Sequence, residues 1–167
     1  GYYKTPKISW DQDKLRGHPY FYFTWGAAIS EALLDINTGE SRILRADIVQ
    51  DCGNSLNENI DIGQIEGGFI QGLGWLTCEE LCFSKEGKLL TTGPSTYKLP
   101  GSRDIPQIFN VKLLEKADNE EKTIFRSKAV GEPPLLLAIS HFLALKEAIR
   151  ASSCLLYTSD AADDTLC

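Results

Sequence analysis

The sequence has no methionine, only two histidines (His18 and His141), and five cysteines, Cys52, Cys78, Cys82, Cys154 and Cys167, at irregular spacing. An odd, unevenly spaced set of cysteines argues against a disulfide framework and for a reducing compartment such as the cytoplasm. Cys78 and Cys82 lie four apart, a spacing a metal could use on a helix. With neither histidine nearby in sequence, buried or idle thiols are the better reading. No apolar run approaches the ~18–20 residues that a membrane-spanning helix requires. Basic residues are in the minority, 17 Lys and Arg against 23 Asp and Glu for a net charge of −6. They form no basic stretch, so nucleic acid is not an expected partner. The first twenty residues are polar, aromatic and mixed in charge, unlike a signal peptide. Opening on Gly1 without a methionine anywhere, the chain is expected to be a fragment or a processed piece.

What is present suits one globular domain. The 167 residues are 43% hydrophobic and 24% charged, enough to bury a core. Residues 1–19, rich in charge, read as a loop. The aromatic string Tyr20 to Trp25 predicts a strand. Ala28 to Asp35 and Arg42 to Val49 predict an antiparallel hairpin closed at Asn37-Thr38-Gly39. Residues 51–63 read as a polar loop, and Gln64 to about Cys82 as a helix with apolar positions at Ile65, Phe69, Ile70, Leu73 and Leu76. A second hairpin is expected around Lys85-Glu86-Gly87, then an ordered loop over 93–100. Short strands follow at 109–115 and 123–126, separated by a solvated loop. Pro134 to Arg150 predicts a helix apolar almost all round, hence buried on most sides, in this domain or against a partner. The fold class is α+β, with small mixed sheets and hairpins against packed helices. Residues 152–167 (SSCLLYTSDAADDTLC) show no periodicity and no start or stop signal, and read as a non-native tail. The domain is therefore assigned to 1–151.

Two strings carry candidate chemistry. In Ser127-Lys128-Ala129-Val130-Gly131-Glu132-Pro133-Pro134, Glu132 precedes a proline, which disfavours the α region and predicts an extended backbone. The prolines then open a helix whose positive end favours an ionised carboxylate. A carboxylate held stiffly in a tight corner is a candidate general base. A simple helix cap is the competing role, but Glu is not among the favoured capping residues. Lys128 could pair with Glu132 or serve at the surface. In the second string, Gln64 and Gln71 flank Gly67, Gly68 and Gly72, with Gly74 following. Each glycine costs ~1 kcal/mol against Ala in a helix, so something must approach this backbone closely. That partner is either a polar ligand or a tightly packed neighbouring element. His141, in the apolar helix, reads as a satisfied core or interface histidine.

Three segments, DIGQIEGGFIQGLGW (61–75), GPSTYKLP (93–100) and SKAVGEPP (127–134), in this order and spacing, resemble the C-terminal molybdenum-cofactor domain of the xanthine dehydrogenase and aldehyde oxidase family. The style is that of the molybdenum subunit of bacterial xanthine dehydrogenases. The resemblance covers residues 1–150. It implies that Glu132 is the catalytic base, taking a proton from the oxygen nucleophile that attacks an electron-poor carbon of a purine. It implies that Gln64, Ser95, Val130 and Gly131 lie against a molybdopterin-type cofactor, with no protein side chain ligating the metal. It further implies 2Fe-2S clusters, FAD and the remaining molybdenum-domain segments elsewhere in an oligomeric assembly. Hydroxylation of an aldehyde or another heterocycle remains open. So does a non-catalytic domain that only completes an assembly interface.

Overall fold

The computed structural model describes residues 1–152. Among the described residues, two small sheets and two α-helices carry the fold. β1 (Ser9–Asp11) and β2 (Arg16–His18) form an antiparallel pair. β3 (Gly26–Leu34) and β4 (Ser41–Gln50) form the expected antiparallel hairpin, and β5 (Ile108–Leu113) joins β4 in parallel. A parallel neighbour requires a crossover. Here the crossover contains α1 (Glu58–Thr77) and the irregular segment after it. A 3-10 turn over Pro133–Ala138 leads into α2 (Ile139–Ser152).

The β3–β4 turn closes as its residues dictate. Asp35 accepts the amides of Asn37 and Thr38 through its carboxylate, and Gly39 takes a positive φ of 76°. Asp and Gly suit these positions because one offers a local acceptor and the other no Cβ. α1 begins at Asn57, whose side chain accepts the Ile60 amide, and Glu58 and Asp61 complement the helix dipole in the first turn. The helix therefore starts six residues before the predicted Gln64. The Asn-rich stretch is a cap and a first turn as well as a loop.

One face of α1 covers the sheet. Ile65, Phe69 and Leu73 pack on Ile43, Ala46 and Ile48 of β4, with Ala138 closing the cluster. Phe69 and Phe109 pack with ring centroids 5.5 Å apart and planes inclined at 53°. α2 packs against β3, where Ser30 and Ser140 share a 2.8 Å hydrogen bond.

Several expectations are corrected. Tyr20–Trp25 is not a strand: its rings pack edge-on against one another, and β-propensity has no effect without a partner strand. Residues 1–19 are more than a loop, because Asp11 accepts the amides of Asp13 and Lys14 and turns β1 into β2. The hairpin at 83–92 is reduced to one bridge, Phe83 to Leu89, around the Gly87 turn. Residues 124–126 form a 3-10 turn with Phe125 and Arg126 at positive φ, so they cannot extend as a strand. The 116–122 loop folds inward at Asn119, whose amide bonds the Thr123 hydroxyl and the Ser127 carbonyl. α2 is not buried on most sides within this domain: Ile139, Phe142 and Leu143 are exposed, which leaves the alternative of burial against a partner. Of the segment read as a foreign tail, only Ser152 is described, and it closes α2. The remainder, with Cys154 and Cys167, lies outside the described residues. Among those described, no helix is long and apolar enough to cross a membrane.

Candidate functional site

The segment 127–132 is held from two sides. On the sheet side, Ser127 bridges Gly53, and the Lys128 amide donates to the Cys52 carbonyl at 2.8 Å. Gly53 has φ 65°, and a side chain there would strike the Arg126 carbonyl, so only glycine lets the two strands of backbone meet. The Ala129 amide donates to the Tyr22 hydroxyl at 3.0 Å. Beneath this lies an ion pair: Lys128 Nζ donates to Asp51 Oδ2 at 2.6 Å, with the side chains 10% and 1% exposed. The other Asp51 oxygen accepts the Gly53 amide at 2.9 Å. Breaking such a buried pair by removing one partner costs about 3–5 kcal/mol, because the remaining charge is left without compensation. Lys128 is thus committed to Asp51, in place of the pairing with Glu132 or the surface role left open by the sequence.

On the helix side, the glycines of α1 divide into two sets. A Cβ on Gly72 would collide with the Leu135 carbonyl, and one on Gly68 would come within 3.0 Å of the Gly131 carbonyl and 3.3 Å of Pro134. These glycines exist for packing. Gly63 and Gly67 have nothing within 4 Å of the Cβ position, and with exposed Ile60, Gln64, Gln71 and Trp75 they form an open stripe along the helix. Gln64 brings the two regions together: its Oε1 lies 3.1 Å from where a Cβ on Gly131 would stand. Open glycine backbone beside a carboxamide fits a flat polar heterocycle such as a pterin, which needs close approach and both donors and acceptors.

Glu132 stands at the head of the Pro133–Ala138 turn, exposed, with no capping hydrogen bond from its side chain. Its backbone is right-handed helical (φ −93°, ψ −40°) where the following proline predicted an extended form. The cause is the Glu132 carbonyl, which accepts the Leu135 amide at 3.1 Å and makes Glu132 the first corner of the turn. Pro134, buried on α1, holds that turn in place. The carboxylate is therefore stiff in its backbone but open on its outward side.

Ser95 is placed differently. The loop 93–100 docks at the C-terminal end of α1, where Tyr97 donates to Glu79 and Pro100 packs so near Gly74 that a Cβ there would be 2.6 Å away. The glutamate acceptor raises the Tyr97 phenol above its ordinary value. Gln64 and Gly74 are ten residues apart, about 15 Å along the helix axis. Gln64, Val130, Gly131 and Glu132 thus gather at one end of α1, and the Ser95 loop at the other.

The residues that sequence reasoning missed are Asp51, Tyr22 and Asn119, which hold the 127–132 segment from behind. Asp51-Cys52-Gly53 directly after a strand was the available signal, an acid and a turn residue where a chain must reverse. Cys52 is buried, which pushes its thiol upward in pKa, and Cys78 and Cys82 are half-buried. Because α1 ends at Thr77, the last two do not share a helical face. No group of three or more metal-binding side chains occurs among the described residues. His141 is a core histidine, 3% exposed, but it is not satisfied: its Nδ1 has no hydrogen-bond partner.

This α+β domain, with an open glycine and carboxamide stripe beside a pre-proline glutamate, belongs to the molybdopterin cofactor-binding domain family, whose model matches residues 1–106. The chain is 54% identical over 152 residues to the xanthine dehydrogenase/oxidase of Felis catus, covering 91% of this chain and 11% of that protein. It is 48% identical over 155 residues to the xanthine dehydrogenase of Dictyostelium discoideum, with the same coverage of 91% and 11%. The chain thus spans about a tenth of the length of these curated relatives. Among solved structures, it superposes on quinoline 2-oxidoreductase from Pseudomonas putida 86 with a TM-score of 0.62 at 29% identity, over 71% of this chain and 15% of that one. The CO dehydrogenase of Oligotropha carboxidovorans matches with a TM-score of 0.67 at 22% identity, over 77% and 16%, which shows a shared fold.

Proposed function

We propose that this chain is the part of a molybdenum hydroxylase that presents the catalytic base and one wall of the cofactor site. The substrate is a purine such as hypoxanthine or xanthine. The reaction converts a substrate C–H bond and water into C–OH, two protons and two electrons. The electrons leave through 2Fe-2S clusters and FAD in other parts of a cytoplasmic, oligomeric enzyme. The observation that carries this reading is the meeting of Gln64 and Gly131 beside Glu132, at the open stripe of α1.

When bound, the molybdenum cofactor supplies the two-electron redox chemistry. Gln64 would hold the pterin through its carboxamide, with the Val130–Gly131 backbone beside it, and the Ser95 hydroxyl would meet the group from the other end of α1. Glu132 accepts, at a carboxylate oxygen, the proton of the oxygen nucleophile that attacks the electron-poor substrate carbon. General base catalysis of this kind contributes typically ~10²–10⁴-fold. The rigid turn opened by Pro133 fixes the carboxylate backbone before substrate arrives, which lowers the entropic cost of alignment.

A second reading has its own support. Leu136, Ile139 and Leu143 are exposed on the final helical segment, as an assembly face would require. A purely structural domain tolerates Glu132→Gln, whereas an enzyme does not. Purine turnover by the molybdenum-loaded enzyme carrying this chain, with Glu and with Gln at 132, therefore decides between them. Loss of turnover at unchanged molybdenum content is expected. Full turnover would overturn the base assignment, and turnover of aldehydes in place of purines would move the substrate class.

A further inference from the structure

We propose that the buried Asp51–Lys128 pair is a positioning device for Glu132, and this rests on the reading of Glu132 as the base. The pair joins the end of β4 to the segment that carries the glutamate. Asp51 is fixed on every side: its amide donates to the Trp25 carbonyl, its carbonyl accepts the Gln50 carboxamide, and its two carboxylate oxygens take Gly53 N–H and Lys128 Nζ. It is therefore a rigid anchor. Lys128 lies four residues before Glu132, and the links that hold the intervening backbone against the sheet side are the Lys128 amide, the Ala129 amide and this pair. From Val130 onward no such hydrogen bond is made, and Val130 packs, partly buried, against the core. The path to the Glu132 turn is set by where Lys128 is anchored below, by the packing of Val130, and by Pro134 on α1 above.

The pair neither borders Gln64 nor reaches the open stripe of α1. It lines the floor of a separate cleft of about 510 Å³, whose aromatic wall includes Tyr22, Phe23 and Trp25. This cleft is where the aromatic string that does not form a strand ends up, beside an ion pair whose own side chains are 10% and 1% exposed. A buried pair with one rigid member holds position better than an exposed one, whose side chains move freely. Lys128 and Asp51 thus act through the backbone of 129–132, and neither touches substrate or cofactor.

The test uses the molybdenum-loaded enzyme that carries this chain. Lys128→Met alone strands a buried carboxylate and can fail to fold, so the decisive variant is the neutral double Asp51→Asn/Lys128→Met. Lys128→Arg keeps the charge as the conservative control. We expect the double variant to retain its molybdenum content and melting temperature while kcat falls about 30-fold or more and KM changes less than threefold. Amide exchange at Lys128 and Ala129, whose N–H groups bond the Cys52 carbonyl and the Tyr22 hydroxyl, is expected to accelerate at least tenfold, and Lys128→Arg is expected to retain most of kcat and of the exchange protection. A double variant with wild-type kcat and exchange would overturn the proposal, as would an activity loss that only tracks molybdenum content. Glu132→Gln measured alongside separates the two readings. If that variant stays active, the base assignment fails. If it is inactive while the double variant is fully active, the positioning role alone fails.

Discussion

The two faces of α1 carry the same residue type for opposite purposes. On the inner face, Gly68 and Gly72 are spaces into which Leu135, Pro134 and Ala138 pack. On the outer face, Gly63 and Gly67 border nothing, and the neighbouring Gln64 and Gln71 are polar and exposed. A helix pays conformational entropy for each glycine, so glycine persists only where absence of a side chain has a use. On the inner face the use is visible in the fold. On the outer face no element among the described residues supplies it, and we assign it to the pterin.

The comparison can be broken most severely at its chemical end. Glu132→Gln is expected to lower kcat by ~10²–10⁴-fold, with molybdenum content unchanged, because the amide cannot accept the proton. Gly72→Ala is the next largest effect. Its Cβ meets a backbone carbonyl that cannot move aside, so overpacking of about 1–3 kcal/mol outweighs the gain in helix propensity of about 1 kcal/mol, and thermal melting should fall. Gly63→Ala, on the open side, has the opposite sign: melting should rise by an amount corresponding to less than about 1 kcal/mol. The smallest expected effect is on pH dependence, at His141. Burial lowers its pKa from the ordinary 6.5, so the unfolded chain binds the proton more readily than the folded one. Stability from this group is full above pH 6.5 and is lost as pH falls below it towards the folded value. His141→Phe, measured by melting at pH values on either side of the ordinary histidine pKa of about 6.5, should flatten that slope, whereas an unchanged slope would place the proton elsewhere.

The β3–β4 hairpin and the existence of α1 were legible because each is written locally, in a turn motif and in a repeat of apolar positions. So was the β5 strand, expected at 109–115 and found at Ile108–Leu113, but its parallel pairing with β4, the inward fold at Asn119 and the Asp51–Lys128 pair were not. Each depends on residues distant in sequence, and no local pattern records which lysine an aspartate will meet. The aromatic string misled for the same reason: a strand needs a partner, and the rings at 20–25 found one another and the wall of a cleft. At the candidate site, the motifs located Gln64, Gly131 and Glu132 in the chain, but only the fold shows Gln64 beside Gly131. It also sorts the glycines of α1 into packed and open sets, which their sequence spacing could not do.

The measurement that bears most directly on the open face is the molybdenum and pterin content of the purified enzyme carrying Gly67→Leu. Leucine is a better helix former than glycine and meets no neighbour in this domain, so the fold should be retained and melting unchanged or raised. The account predicts a folded enzyme whose cofactor content falls at least about tenfold, as the side chain fills the space assigned to the pterin, an affinity loss of roughly 1.4 kcal/mol or more. A folded Gly67→Leu enzyme with full molybdenum and pterin content would contradict it.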